Sequence, residues 1–446
     1  MNPLKLAFIT TSAAHFPVVE ARKRMAEAEA MLRGLDVALL GPELVITSQD
    51  AEATARKLRR EAPDALLLLI GAFTLDNIPA RITQELPGVP LILWAMPEPP
   101  MEGGKLSTNS LCGGIMNNAT LRKLGLKPKF IYGARGEDRV LTPLKRHLLA
   151  LCAASALRTT RFGLVGYRTS GFYNSTFDEI AVRRQFGVET IHLDLLELVE
   201  GARQIPDHDV APEVAATKVK WKLGDATERD LFNSVKLYRV LKDFAQREGV
   251  NAIGVKCWPD LHKRGLSVCA VLGWLTDDGL MAPCEADFWG AMTMVLGHAL
   301  TRAAPFFADL IHLDEKANTG VFWHCGAAPP SLASCPSAIT LQKQFRGPER
   351  STAGEFPLRP GRVTIARFGL TDGQPRMFIA TGEALPTQMI LRGNPLTVRL
   401  DKPISAVLDT IVAHGVEHHY TLLYGDLEPE LRETCEVLGI AVLTPP

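Results

Sequence analysis

The sequence predicts an α/β protein built from two doubly wound units followed by a smaller β-rich, antiparallel and barrel-like domain. Three observations predict it. From residue 5 to about 158, short runs that are apolar at every position alternate with amphipathic helical stretches, the pattern of parallel strands covered on both faces. At Arg161 the pattern starts again. After about residue 330, Gly and Pro punctuate short β-rich runs, which points to a small antiparallel sheet or barrel. A chain of 446 residues is too long for one ordinary core, so we divide it into residues 1–158, 159–330 and 331–446.

In the first unit we expect strands at Lys5–Thr10, Asp36–Leu40, Asp64–Ile70 and Val89–Ala95, with helices at Glu20–Arg33, Gln49–Glu61 and Leu141–Leu157. The second opens with strand Arg161–Tyr167. It continues through helix Asn174–Phe186, strand Val188–Leu193, a long helix Ala226–Gln246 and strand Val250–Cys257. Open sheets of this kind bind ligands beyond the carboxyl ends of their strands, so the loops after Gly166 and Cys257 are the expected cleft walls. The last part carries strands at Arg362–Phe368, Arg376–Thr381, Leu396–Leu400 and His419–Tyr424, then helix Glu428–Leu438.

Lys and Arg number 49, against 49 Asp and Glu. This balance, with the basic clusters Arg22–Arg24 and Arg56–Arg60 lying in helical patterns beside acids, argues against a nucleic-acid surface. No apolar stretch approaches the roughly 18 residues that span a bilayer, and the first ten residues read as a buried strand rather than a signal segment. We therefore expect a cytoplasmic protein whose partners are small molecules and sister subunits. Eight Cys at irregular spacings suggest reduced core thiols rather than a disulfide framework or a CxxC zinc site. The turn Thr10–His15 has no glycine, which argues against a dinucleotide site.

The chemistry concentrates around Pro283-Cys284-Glu285-Ala286-Asp287 and Trp323-His324-Cys325-Gly326, with Asp309 between them and His418-His419 downstream. Acids and imidazoles set in apolar sequence are costly unless they meet a partner, and a divalent cation would satisfy them together. Glu285 and Asp309 are 24 residues apart, room for one helix and a return turn, so both carboxylates can reach one cleft. The competing structural reading is that Glu285 or Asp287 only caps the helix Phe288–Leu300. Likewise His324 can be a hydrogen-bonded core residue and Cys325 simple packing. His418 and His419, at the head of a strand, should point to opposite faces, so only one enters a given site easily.

Taken together, these segments resemble the L-fucose isomerase and L-arabinose isomerase superfamily, particularly its shorter fucose-isomerase-like members. The resemblance rests on the Cys284-Glu285-Ala286-Asp287 segment with Gly290-Ala291, on Phe307-Ala308-Asp309, on Trp323 to Pro329, and on Glu417-His418-His419-Tyr420 with Gly425-Asp426. Weaker similarity runs through Asn109–Gly113 and Phe162–Tyr167. It implies two Rossmann-like domains and a β-rich one, and an aldose–ketose isomerase working through a cis-enediolate with Mn²⁺ or another divalent cation such as Mg²⁺ or Co²⁺. It also implies that Glu285 and Asp309 are metal ligands with catalytic roles, that His419 is the late histidine ligand with His418 as fallback, and that His324 matches a ligand of the arabinose branch only. A trimer or hexamer with sites between subunits follows from the same resemblance.

For substrate binding we expect Lys256 and Trp258 after a strand at the cleft, with Arg168, Asn109 and His418 as further candidates; Asn109 would serve a neighbouring subunit's site. A surface lysine and a packed tryptophan are the plain alternatives. The expected substrate is a free monosaccharide or a modified one, such as a deoxy or sulfonated sugar. Two other readings stay open: a metal-dependent lyase or decarboxylase acting on a sugar acid, and a non-catalytic sugar-binding protein on the same scaffold.

Overall fold

The uninterrupted apolar runs near the N-terminus form a parallel sheet, as their lack of alternation requires. The computed structural model describes residues 3–101, 103–345 and 351–446, which divide into the units Met1–Cys152 and Ala153–Pro446. In the first, the chain passes through β1 (Leu4–Thr11), α1 (Val18–Leu32), β2 (Val37–Val45), α2 (Ser48–Glu61), β3 (Ala65–Ile70) and α3 (Asn77–Glu85). It continues through β4 (Leu91–Ala95), α4 (Ser110–Lys123), β5 (Lys129–Tyr132) and the start of α5 (Asp138–Arg158). The five strands are parallel in the order β2-β1-β3-β4-β5, one of the doubly wound orders. Every residue of β3 is buried. A capping box between Thr47 and Asp50 starts α2. The sequence reading left α3, α4 and β5 unassigned.

The unit boundary falls inside α5. Contrary to the reading of the sequence, this helix is long and apolar enough by length and composition to cross a membrane, at a mean hydropathy of 1.2 over its best window; half of that window is buried in the fold.

The second unit runs through β6 (Arg161–Val165), α6 (Glu179–Phe186), β7 (Glu189–Leu193), α7 (Leu195–Gln204), α8 (Asp207–Lys220) and β8 (Lys222–Leu223). Then come α9 (Glu228–Glu248), β9 (Ala252–Val255), α10 (Asp260–Lys263), α11 (Cys269–Asp277) and α12 (Phe288–Thr301). Strands β7, β6 and β9 form a parallel sheet with β6 central. Helix α6 begins later than expected because Asp178 caps it, accepting from the Ala181 N–H at 2.9 Å.

The antiparallel part uses β10 (Phe306–Asp314) and β11 (Thr319–His324), and after β12 (Thr340–Lys343) and β13 (Thr352–Glu355), which join β8 in a small separate sheet, β14 (Gly361–Thr371), β15 (Gln374–Ala384), β16 (Asn394–Leu400), β17 (His419–Tyr424) and β18 (Ala441–Leu443). Helix α13 (Ile404–Ala413) precedes β17, and α14 (Glu428–Leu438) follows it. The order β14-β17-β10-β11-β16-β15 closes on itself, because β14 also pairs with β15; β18 adds parallel to β15. The result is a closed antiparallel ring. Phe306, Ala308, Phe322, Ile365, Phe378, Leu396, Tyr420 and Leu422 fill its interior, while Phe307, Ala366, Phe368 and Leu423 turn outward onto the core that includes α12. Strand alternation thereby sends Asp309 and His419 to the outer face.

Candidate metal and active site

Asp309 on β10 stands directly opposite His419 on β17 and Trp323 on β11. His324 is the last residue of β11, paired with Asn394 at the rim of the ring, where the ladder stops constraining its face. Three adjacent strands thus present an acid and two imidazoles. One donor atom each from Asp309, His324 and His419 lies within 4.8 Å of the others.

Glu285 comes from a single tight turn, Cys284–Ala286, between α11 and α12. Both Glu285 (φ 61°) and Ala286 (φ 57°) take the left-handed backbone conformation, which is disfavoured for side-chain-bearing residues and tends to mark functional positions. The turn is pressed against β9. A Cβ on Gly254 would lie 2.9 Å from the Ala286 Cα, so only glycine lets it sit there. So placed, the Glu285 Oε2 is 3.5 Å from the His419 Nε2, and the Asp309 Oδ1 is 3.4 Å from the same nitrogen.

The other ring nitrogen is fixed from behind. Asp287 Oδ2 lies 2.9 Å from His419 Nδ1 and accepts from Arg367 Nη1 at 2.6 Å, while its Oδ1 accepts from the Gly290 N–H at 2.9 Å. Asp287, not Glu285, is therefore the cap of α12. Arg367 reaches on to Glu417 at 3.2 Å, and Glu417 is held by Arg376 at 2.6 Å. An ionised Asp287 can only accept, so Nδ1 carries a proton and Nε2 faces the two carboxylates, where a cation that displaces its proton would find the lone pair, the arrangement by which outer carboxylates orient metal-binding histidines.

Electrostatics follows the same geometry. Burial pushes the Asp287 carboxyl up, but the Arg367 charge and the His419 hydrogen bond outweigh it and hold the group well below the usual carboxylate range. Burial pushes His419 down, yet the bonds to Asp287 and Glu285 raise it to about 9. Glu285 is pushed up by burial and brought below its ordinary value by His419 and His324. The imidazole of His419 is 2% exposed, whereas the side chains of Glu285 and Asp309 are 14% and 28% exposed. The acids therefore face the opening.

These residues fit a divalent cation. Oxygen and imidazole donors suit Mn²⁺, Mg²⁺ or Co²⁺. The Asp309 Oδ1 is a buried acceptor without a hydrogen-bond partner among the described residues. With His419 neutral, the formal charges of Glu285, Asp287, Asp309 and Glu417 exceed those of Arg367 and Arg376 by two, the charge of one such ion.

His418 corrects an expectation. It lies just before β17 rather than within it, so alternation does not govern it. Its ring sits 3.9 Å from that of His419, and it forms a possible donor set with Glu285 and His419. Phe172, absent from the sequence reading, stands edge-on to His418 at 5.7 Å and 6.0 Å from Trp258, making an aromatic row that starts at the cluster. Trp258 is partly exposed. Lys256 follows β9 as expected but is paired with Asp260 at 2.8 Å. Arg168, after β6, lies over Tyr173 and Tyr167 at 5.0 and 5.6 Å, and its Nε–H has no acceptor among the described residues. Asn109 belongs to the first unit, where it caps α4 in the left-handed conformation and its N–H donates to Glu98 at 2.7 Å.

No family model matches the chain. Curated relatives align along nearly all of it. Sulfoquinovose isomerase of Alkalicoccus urumqiensis is 28% identical over 421 residues, covering 94% of each chain. The sulfoquinovose isomerase of Priestia megaterium is 28% identical over 413 residues, 92% of each, and that of a Clostridium species 28% over 449 residues, 99% of each. A solved arabinose binding protein from Geobacillus stearothermophilus covers 63% of this chain and 80% of its own at 10% identity, with a TM-score of 0.18, too low to bear on the fold.

Proposed function

We propose that the chain is a metal-dependent aldose–ketose isomerase acting on a sulfonated monosaccharide, with sulfoquinovose the first candidate. The reading rests on relatives of that activity along nearly the whole chain. The structural observation that carries it is the convergence of two partly open carboxylates on Nε2 of one buried imidazole whose far side is fixed. Glu285, Asp309 and His419 hold the cation, with His324 as the further donor; Mn²⁺ is the expected ion. When bound, it supplies Lewis-acid stabilisation for the negative charge that develops on the substrate oxygens.

The chain's own residues move the protons. Glu285 takes the C2 proton of the aldose and returns it at C1, through a cis-enediolate, and Asp309 passes the hydroxyl proton from O2 to O1. Asp287 keeps the His419 ring from turning. Trp258 and Phe172 offer apolar faces to the C–H side of the sugar, and His418 bonds a hydroxyl. We assign the sulfonate to Arg168, whose Nε–H is without an acceptor among the described residues, in preference to Lys256, which Asp260 already engages. We further propose the three-part division at residues 158 and 330, two Rossmann-like domains, a cytoplasmic location, and a trimer or hexamer in which Asn109 serves a neighbour's site.

The test is deuterium exchange at C2 of sulfoquinovose and of its unsulfonated counterpart in D₂O, with Mn²⁺ and after chelation. Metal-dependent exchange that favours the sulfonated sugar is expected. No exchange with either sugar in a protein that retains its ion would overturn the assignment.

A further inference from the structure

Four buried cysteines stand beside this cluster, and none of them takes part in the proton transfers. The Sγ of Cys257 is 3.3 Å from that of Cys284, the Sγ of Cys269 is 3.7 Å from that of Cys325, and the Cys325 Sγ is 3.5 Å from the His324 Nδ1. All are free thiols. One donor each from Cys284, Cys325 and His324 falls within a 4.8 Å sphere of mutual separation, and all three residues are buried. A Gln344 amide donates to Cys269 at 3.5 Å.

The spacing has a chemical meaning. In a tetrahedral zinc site with Zn–S of about 2.3 Å and Zn–N of about 2.0–2.1 Å, two sulfurs are about 3.7–3.8 Å apart and a sulfur and a nitrogen about 3.5 Å. The Cys269–Cys325 and Cys325–His324 separations already have these lengths. Charge agrees as well. The thiolates of Cys284 and Cys325 with a neutral His324 cancel a divalent ion, which makes that unit cheap to bury; their two displaced protons leave to solvent, and Cys269 joins as a neutral thiol. Soft sulfur donors also select a different ion from the oxygen-rich set around Asp309.

We propose that Cys284, Cys325 and His324, with Cys269 beside Cys325 as the fourth donor, form a second metal site that takes a thiophilic ion of the Zn²⁺ or Cd²⁺ class. His324 belongs to both this set and the Asp309–His419 set. An ion held by the sulfurs therefore draws His324 away from the first site, and zinc inhibits the enzyme. The binding claim stands apart from the isomerase reading; only the inhibition rests on it.

The experiment is titration of the full-length, metal-free protein, kept reduced with a phosphine, with Cd²⁺ and with Co²⁺. One equivalent of ion should give a thiolate-to-metal charge-transfer band. The band should persist in the Glu285→Gln/Asp309→Asn double variant and disappear in Cys284→Ser/Cys325→Ser. Because the cysteine variant can lose its fold, X-ray absorption of the zinc-loaded wild-type protein provides a second readout, with sulfur neighbours at the zinc–thiolate distance expected. A wild-type protein without the band, or zinc surrounded by oxygen and nitrogen alone, overturns the proposal whether or not isomerase activity is found.

Discussion

The two sides of the cluster are held in opposite ways. Behind His419, the chain Asp287, Arg367, Glu417, Arg376 is a buried run of charge-assisted hydrogen bonds between β-ring strands and the start of α12. On the other side, Phe172, Trp258 and His418 lie outside the strands and reach solvent, with ring contacts among them spaced about 5.7–6.0 Å; Arg168 belongs to the same segment as Phe172, after β6. A buried, charge-locked back and a more open front would suit a site whose reaction stays constant while its substrate is chosen at the mouth.

The hardest test of this contrast removes the acids at its centre. Glu285→Gln and Asp309→Asn should each lower kcat by about 10²–10⁴-fold while leaving the thermal transition of the protein near its starting value. A collapse of that transition would return these residues to a structural role.

Next comes the buried back. Arg367→Met leaves Asp287 and Glu417 inside with fewer counter-charges, so unfolding in denaturant should show a loss of about 3–5 kcal/mol. A change under 1 kcal/mol, on the order of an exposed pair, would erase the difference between the two sides.

At the mouth the effects should be milder and confined to binding. Arg168→Met should raise KM for a sulfonated sugar about 10–100-fold, the worth of a hydrogen bond to a charged group, with kcat and the KM of an unsulfonated sugar little changed. Lys256→Met should do less, because Asp260 already neutralises that lysine. The reverse ranking, read from steady-state kinetics, would move the anion to Lys256.

A last expected effect is on pH. His419 is raised from 6.5 to about 9 in the folded chain, so protonation there stabilises the metal-free protein fully below about pH 6.5, and that contribution is lost as the pH rises through about 9. Asp287 is shifted the other way and is ionised throughout this window, so it does not cancel the trend. Calorimetry of the chelated protein should show Tm falling between pH 6.5 and about 9, and Mn²⁺ should remove the fall, since it takes the proton's place on Nε2.

What the sequence made legible was whatever is local. All-apolar runs identified β1, β3 and β4, and Glu285, Asp309 and the His418–His419 pair stood out as polar groups in apolar surroundings, while the choice of His419 came from the family resemblance. The partner of Asp287 did not, because Arg367 lies 80 residues away and meets it only when the ring closes. Strand alternation misjudged His418 for a smaller reason: β17 starts at His419, as expected, so His418 lies outside the ladder that fixes alternation. The cysteines were read as reduced core thiols, but their grouping was not visible, because a spacing rule looks for neighbours, while Cys269 and Cys325 are 56 residues apart. Lys256 was correctly placed after β9, but sequence could not tell which acid would engage it.

The closed ring has a consequence for how such a protein can diversify. Asp309, His324 and His419 ride on three neighbouring strands of a cycle with no free end among its six members, so none can slip in register without shifting the rest. The segments after β6 and β9 hang from a different sheet. Exposed positions such as Tyr167, Tyr173 and Trp258 can therefore vary without disturbing the register that places Asp309, His324 and His419, whereas Cys257 and Leu261 pack in the core that carries the Glu285 turn and must stay; a laboratory library seeking new sugars should be aimed at the former.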